Sequence, residues 1–582
     1  MIEKYYEEEL RYLYESGKEF ARAHPDRARF LNIDAVGDRD PYVERLFEGF
    51  AFLAARIREK IDDSFPELTE GLMGLLWPQL LEEVPSLAVV EFKPRRGFLQ
   101  STRIIERGAE ILSPPAGSES AICRFSTTQD VTIGPYALKN IERKVDTRGK
   151  ASLDFHFILE PGVQWDSLGV SSIQFFLYAE LPTALMLHEF LTRRVLRASI
   201  SLQNGTQTTT LDPEKAVTPG GLTPSESLLP RESRNFWGYA LLREYFIFPD
   251  KFLFVNLNGF DAIPLPEENP SSFTYSLTFN DDFVPDKPFG AENFRLFCSP
   301  IANIFKKDAE PVYWSGHEPE CRVVADSSYP GSFHTHSVVS ITGVDRTTGE
   351  RIVYNPFHSF KHIGDRTGKT YTVQYRYGPD AQRQCFVALG GERLVDDELH
   401  EETLSIEAWL TNGTLPRDEL REGDINKPGP GFPDYVMVTN ITRPTMPFMP
   451  PKEGHYLWTF LSHLGATYST LASAETLKSF LKLYDWSNSE GRARRIKGIS
   501  DVQAQSTEMT INGAVVRGIE FSVSLLESEF LDIGDIHLFG QILKEFLAHY
   551  VSINSFIELI LILKPSSKQL RWNSLKGKQW VI

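Results

Sequence analysis

"SLAVVEFKP" (residues 86–94) is where the chain changes character. Leu87, Ala88, Val89, Val90 and Phe92 form a short apolar run between Pro85 and Pro94, the pattern of a strand. Before it, apolar residues recur every three or four positions. After it come "ICRFSTTQDVTI" (122–133), "ASLDFHFIL" (151–159) and "SIQFFLYAEL" (172–181), separated by Gly, Pro and Asp. Helices therefore lead, and a β-rich region follows.

Two amphipathic helices are expected ahead of this boundary. Tyr6, Leu10, Leu13, Gly17 and Phe20 line one face of the first, which Pro25 ends. The second lies in "DPYVERLFEGFAFLAARIREKIDDSFPEL" (40–68), with Asp40 as N-cap and Pro41 as first helical residue. Along it run Val43, Leu46, Phe47, Phe50, Leu53, Ala54, Ile57 and Ile61, with Phe52 off the stripe. That is more apolar surface than one neighbour covers. Two readings stay open: core of an N-terminal helical domain, or a seam between chains built from Leu46, Phe47, Phe50, Leu53, Ala54, Ile57 and Ile61. "LTEGLMGLLWPQLL" (68–81) suggests a third helix.

Further strands are expected in "KFLFVNL" (251–257), "SFTYSLTF" (272–279), "VVSITGV" (338–344), "YTVQYRY" (371–377) and "CFVALGG" (385–391). "HEFLTRRVL" (188–196) reads as a helix among them. Residues 204–235 and 416–435 are polar and rich in Pro and Gly, hence long loops. Helical periodicity returns in "LWTFLSHLGATYSTL", "AETLKSFLKLY" and "LFGQILKEFLAHY" (538–550). The predicted class is α+β multidomain. A helical segment (1–85) precedes two β-rich, sandwich- or barrel-like domains (86–240 and 241–410) and a mixed α+β region (411–582). "REYFIFPDKF" leaves the same two readings open: an interface between chains, or, favoured, a sandwich core in which Arg243 pairs with a carboxylate while Tyr245, Phe246, Phe248, Phe252 and Phe254 fill a β-core.

A chain of 582 residues with 41% hydrophobic and 24% charged residues is globular and too long for one core. Its net charge of −17 argues against nucleic-acid binding, which needs clustered Lys and Arg. "GRARRIKG" (491–498) is the densest basic run and reads as a solvated loop. Cys123, Cys298, Cys321 and Cys385 lie far apart, as in a reducing compartment. The N-terminus lacks an apolar signal segment, and "FIELILILK" (556–564) is too short to span a bilayer. A soluble, cytoplasmic protein is expected.

No catalytic constellation emerges. "GDRTGKT" (364–370) imitates a phosphate-binding loop, but Ile363 stands where the first glycine belongs and a strand pattern follows. It reads as a turn with an exposed Lys369, as does "TTGER" (347–351). His334 and His336 would share a strand face, and His358 and His362 a helix face, without the glutamate of a zinc motif. Asp62/Asp63, Asp281/Asp282 and Asp396/Asp397 read as helix ends or turns. No metal, cofactor or catalytic residue is assigned.

Read together, "YYEEELRYLYESGKEFARAHP", the 40–86 stretch, "LLREYFIFPDKFLFVNLNGF" (241–260), "RPTMPFMPPKEGHYLWTFLSHLGATYSTLASAETLKSFLKLYDW" and "LFGQILKEFLAHYVSINSFIEL" resemble the TssF family. TssF, also called VasA or ImpG, is a baseplate subunit of the bacterial type VI secretion system. The resemblance runs in order from residue 5 to about 560. It implies structural work: two TssF-like copies per TssG-like subunit, in a wedge with TssK and TssE around the VgrG spike. It further implies placement at the cytoplasmic face of the inner membrane through partners, without membrane insertion. A multidomain carbohydrate-active or sugar-binding protein is the competing reading, since aromatic-rich β-domains suit sugars. A secretory signal and two opposed carboxylates would favour it.

Overall fold

Among the described residues the six-stranded sheet joins strands from residues 87 to 440, and this decides how the chain is organised. The computed structural model describes the chain apart from residues 1, 24–40, 63–70, 75, 146–149, 203–206, 231–236, 267, 281–287, 316–317, 358–368, 378–382, 391–400, 452–453, 463–466, 488, 512 and 579–582. The architecture is mixed α+β and rich in strands, as the sequence predicts. Two compact units form: residues 1–81 with 450–466, and 82–449 with 467–582.

The smaller unit is helical. Helix α1 (Ile2–Ala23) packs on α2 (Pro41–Asp62), and Gly454–Ser462 adds a further helix. Its Phe460 meets Trp77 edge-on at 5.5 Å. The predicted third helix reduces to helical turns at 71–74 and a 3-10 turn, Pro78–Leu80, because Pro78 interrupts the ladder.

The larger unit holds the sheets. Strand β1 (Leu87–Pro94) is antiparallel to Cys298–Ala302 on one side and Val436–Asn440 on the other. It is buried on both faces from Leu87 to Phe92, hence an apolar run interrupted only by Glu91. That six-stranded sheet takes strands from all three stretches that composition divides at residues 240 and 410.

A five-stranded sheet centred on Ser272–Phe279 faces a four-stranded sheet centred on Phe254–Asn258 and Ser172–Leu177. Phe155 and Phe157 from one sheet meet Phe175 and Phe294 from the other at 5.2–6.0 Å between ring centroids, a sandwich core. An eight-stranded sheet runs from Phe305–Asp308 to Cys321–Val323, with one short parallel joint where Asn355 and Pro356 meet Thr370 and Tyr371.

Two expectations change here. The presumed loop 204–235 carries strand Gln207–Leu211, helix Pro213–Ala216 and strand Val217–Pro219. Its apolar Leu228 and Leu229 are buried. The Arg107 guanidinium donates to the carbonyls of Ser225, Ser227 and Leu229, which clamps the segment down. Polar composition is compatible with order once those carbonyls find a donor.

"REYFIF" is also not a strand. It lies in the helix Trp237–Ile247, which is buried on every side. Tyr245 and Phe246 therefore leave the β-core, and Tyr245 packs on Phe539 and Phe252. Arg243 lies over the Trp486 ring at 5.1 Å. Only Phe254 enters a strand, against Phe176. With apolar residues on all sides, neither period stands out, and tertiary burial decides.

Candidate interaction surface

Helix α2 has two apolar faces with different fates. One carries Phe47, Ala51 and Ala55, spaced by four, and meets α1. Ala51 and Ala55 are fully buried, and their small side chains let the helices approach closely. The Tyr14 ring lies 5.9 Å from that of Phe47, and its hydroxyl donates to Glu44 at 3.4 Å.

The neighbouring face carries Leu46, Phe50, Leu53 and Ile57, exposed at 65%, 64%, 59% and 62%. Phe52 and Tyr42 are exposed beside them. Of the seven residues predicted for a seam, Phe47 and Ala54 are half-buried. Ile61 lies in the helix, with its side chain outside the described residues. Four bulky apolar side chains spaced four, three and four apart form a continuous strip of the kind that groups recognising another helix or a groove present. The excess apolar surface read from the sequence is real. The sequence did not show which face α1 takes.

Elsewhere Lys369, His336 and Arg495, which lie in stretches singled out in the sequence, are committed to the fold. Lys369 is not exposed. It is buried with its Nζ 2.7 Å from Glu402 Oε1, while the Tyr354 hydroxyl donates to Glu402 Oε2 at 2.8 Å. Its preceding glycines fall outside the described residues, as do His358, His362, Asp281, Asp282, Asp396 and Asp397. "TTGER" is the predicted turn, with the Thr347 and Thr348 N–H groups donating to Asp345 and Gly349 at φ 73°.

His334 and His336 do not share a regular strand face, because the register shifts between Thr335 and Ser337. His336 is buried and its Nε2–H donates to the Glu83 carbonyl at 2.9 Å, so that nitrogen offers no lone pair to a metal. "GRARRIKG" is not a solvated loop. It lies in helix Glu490–Lys497, whose Arg495 is buried against Asp535 at 2.9 and 3.0 Å.

A cluster not foreseen from the sequence is Glu142, Asp154 and His156 on adjacent strands. A lysine ammonium already sits there. Lys144 Nζ is 2.7 Å from Asp154 and 3.2 Å from Glu142. Hydrogen bonds from Lys144 and then His156 hold Glu142 below the usual carboxylate range. Cross-strand alternation at positions 142, 144, 154 and 156 was the available signal.

The chain matches the family described as "Type VI secretion system, TssF" over residues 1–579. It is 27% identical to the type VI secretion system component TssF1 of Pseudomonas aeruginosa, across 99% of this chain and 98% of the relative. Among solved structures, a chain of a type VI secretion TssK-TssF-TssG baseplate subcomplex superposes with a TM-score of 0.77. It has 32% identity and covers 92% of this chain and 99% of that one. A chain of the type VI secretion baseplate complex gives 0.64 at 30% identity, with both chains fully covered. Among the described residues no helix is long and apolar enough to cross a membrane. A match over nearly the whole length, in sequence and in fold, places this chain in the TssF family of type VI secretion system baseplate components.

Proposed function

We propose that this chain is a non-catalytic structural subunit of a type VI secretion baseplate wedge, and that the exposed strip of α2 is one of its joints to another subunit. TssK-like and TssG-like subunits are its direct partners, with two copies of this chain per TssG-like subunit. A TssE-like subunit joins the wedge, and a VgrG-type spike sits at its centre. The assembly works in the cytoplasm at the inner face of the inner membrane, held there by partners. The tail tube and sheath build upon it.

The observation that carries this reading is the strip Leu46, Phe50, Leu53 and Ile57, set on a helix whose other face is already satisfied by α1. Contiguous exposed apolar strips are uncommon on a lone soluble chain and mark surfaces that another molecule covers. The likeness over 92% of this chain to a chain of a TssK-TssF-TssG subcomplex supports the choice of partners. Co-expression with the TssG-like and TssK-like proteins of the same bacterium, followed by native mass measurement, tests it. A complex holding two copies of this chain per TssG-like copy is the expected result. Recovery of this chain alone would overturn the reading.

A further inference from the structure

The five-stranded sheet has a second face, turned away from the phenylalanines of the sandwich core. Strands β2 (Tyr136–Val145), β3 (Ala151–Leu159) and β4 (Ser272–Phe279) lie side by side there, with β2 at the edge. Glu142 stands directly opposite Asp154, and His156 directly opposite Thr274. Alternation therefore puts Glu142 and Lys144 of β2, Asp154 and His156 of β3 and Thr274 of β4 on this one face. One donor atom from each of Glu142, Asp154 and His156 lies within 4.8 Å of the others.

The histidine is already oriented from outside the cluster. His156 Nδ1 lies 2.9 Å from the Thr274 hydroxyl, so the tautomer that donates there leaves the Nε2 lone pair facing Glu142 Oε2 at 3.3 Å. An outer hydrogen bond of this kind fixes the ring of nearly every metal-bound histidine. At metal–ligand distances of about 2.0–2.2 Å, tetrahedral ligand atoms stand about 3.3–3.6 Å apart, the separation that Nε2 and Oε2 have. The carboxylates, for their part, already converge on a positive centre. Lys144 Nζ is 2.7 Å from Asp154 and 3.2 Å from Glu142. One ammonium against two carboxylates leaves a net charge of −1, which a divalent ion would cancel. The lysine is also easy to remove, because its side chain is 51% exposed and can carry the ammonium into water. Asp154 is buried and stays.

We propose that Glu142, Asp154 and His156 form a site for a divalent first-row transition ion such as zinc, with Lys144 as a built-in competitor that swings out when the ion enters. One imidazole nitrogen and two carboxylate oxygens suit zinc or cobalt, whereas magnesium takes oxygen alone and copper(I) prefers sulfur. Three protein ligands leave a fourth position for water. Bound there, the ion staples the edge strand β2 to β3 and works by structure, not catalysis. The site goes beyond the baseplate reading and is tested on the purified chain alone, so either can fail without the other.

The test uses the full-length chain without an affinity tag, stripped with a chelator and titrated with zinc in a calorimeter at neutral pH. Wild type should take up zinc saturably at a micromolar Kd, and cobalt(II) in its place should give a visible absorption band that zinc abolishes. His156→Ala should lose this binding while circular dichroism stays unchanged, and His334→Ala, on the eight-stranded sheet, should keep it. Thr274→Val, which removes only the hydroxyl that orients the imidazole, should weaken zinc by about tenfold. Lys144→Met is the distinguishing variant. Without the competing ammonium, zinc should bind about threefold to tenfold tighter, the range expected from two partly exposed ion pairs. The proposal is overturned by a wild-type chain that shows no saturable zinc binding, or by binding that survives His156→Ala. Zinc affinity that Lys144→Met leaves unchanged or lowers would overturn it equally, since the lysine would then not occupy the metal's place.

Discussion

Lys369 Nζ lies 2.7 Å from Glu402 Oε1 inside the eight-stranded sheet, with both side chains buried and the Tyr354 hydroxyl donating to the other carboxylate oxygen. The pair stands beside the short parallel joint that begins at Thr370. Removing one partner strands the other charge in the interior, which costs about 3–5 kcal/mol. Lys369→Ala should therefore lower the melting temperature by several degrees. Lys369→Met with Glu402→Leu, which removes both charges, should recover most of the loss. Thermal unfolding of the three proteins is the check, and an unperturbed Lys369→Ala variant would place the lysine outside the core.

The two faces of α2 predict opposite behaviours for one kind of substitution. Phe50→Asp changes an exposed residue, so stability should stay within about 0.5 kcal/mol and circular dichroism should not change. Capture of the TssG-like partner should weaken by about tenfold to a hundredfold, from the roughly 1.5–3 kcal/mol that burial of a Phe contributes. Ala51→Asp instead places a carboxylate in the fully buried contact with α1. It should cost helix signal even without a partner. Equal pull-down by wild type and Phe50→Asp would take this strip out of the interface.

Acid should weaken the fold through two histidines. His188, on α3 (Leu181–Arg193), and His537, on α4 (Ile533–Leu547), lie with ring centroids 6.0 Å apart. Neither nitrogen of His188, nor Nδ1 of His537, has a hydrogen-bond partner in the protein. Burial lowers His188 from 6.5 to about 4. Burial first, and then the charges of His188, Arg193 and Arg194, hold His537 well below 6.5. The unfolded chain takes up these protons near pH 6.5 and the folded chain does not. Stability should fall as pH drops from about 6.5 toward 4, by up to about 1.4 kcal/mol per pH unit for each imidazole. His188→Leu should flatten the chemical-denaturation profile in that window at little cost at pH 8. An unchanged slope would mean that the folded protein protonates His188 readily.

Arg495 and Arg494 are neighbours with different consequences. Arg495 is buried against Asp535 through two nitrogen–oxygen approaches, whereas Arg494 is exposed. Arg495→Ala should cost about 3–5 kcal/mol, and Arg495→Lys should recover only part because lysine cannot engage both oxygens. Arg494→Ala should stay within about 0.5 kcal/mol. Urea titration of the three variants separates them.

Much of this molecule is written in local periodicity. "SFTYSLTF" alternates in sequence and alternates buried and half-buried as the strand Ser272–Phe279. "LFGQILKEFLAHY" places Phe539, Ile542, Leu543 and Phe546 on the buried face of a helix. The apolar excess of α2 and the family resemblance were equally legible, because side-chain spacing and residue order are properties of the chain itself. What tertiary structure alone decided is which surface meets which. Strand β1 lies beside Cys298–Ala302 and Val436–Asn440, hundreds of residues downstream. Trp237–Ile247 is a helix because its neighbours bury it on all sides. Lys369 and Arg495 are interior because Glu402 and Asp535 arrive from remote segments to pair them. The Leu46–Ile57 strip is open because α1 takes the alanine face. Each outcome depends on contacts between distant segments, and the energy of a contact belongs to the pair, not to either stretch of sequence.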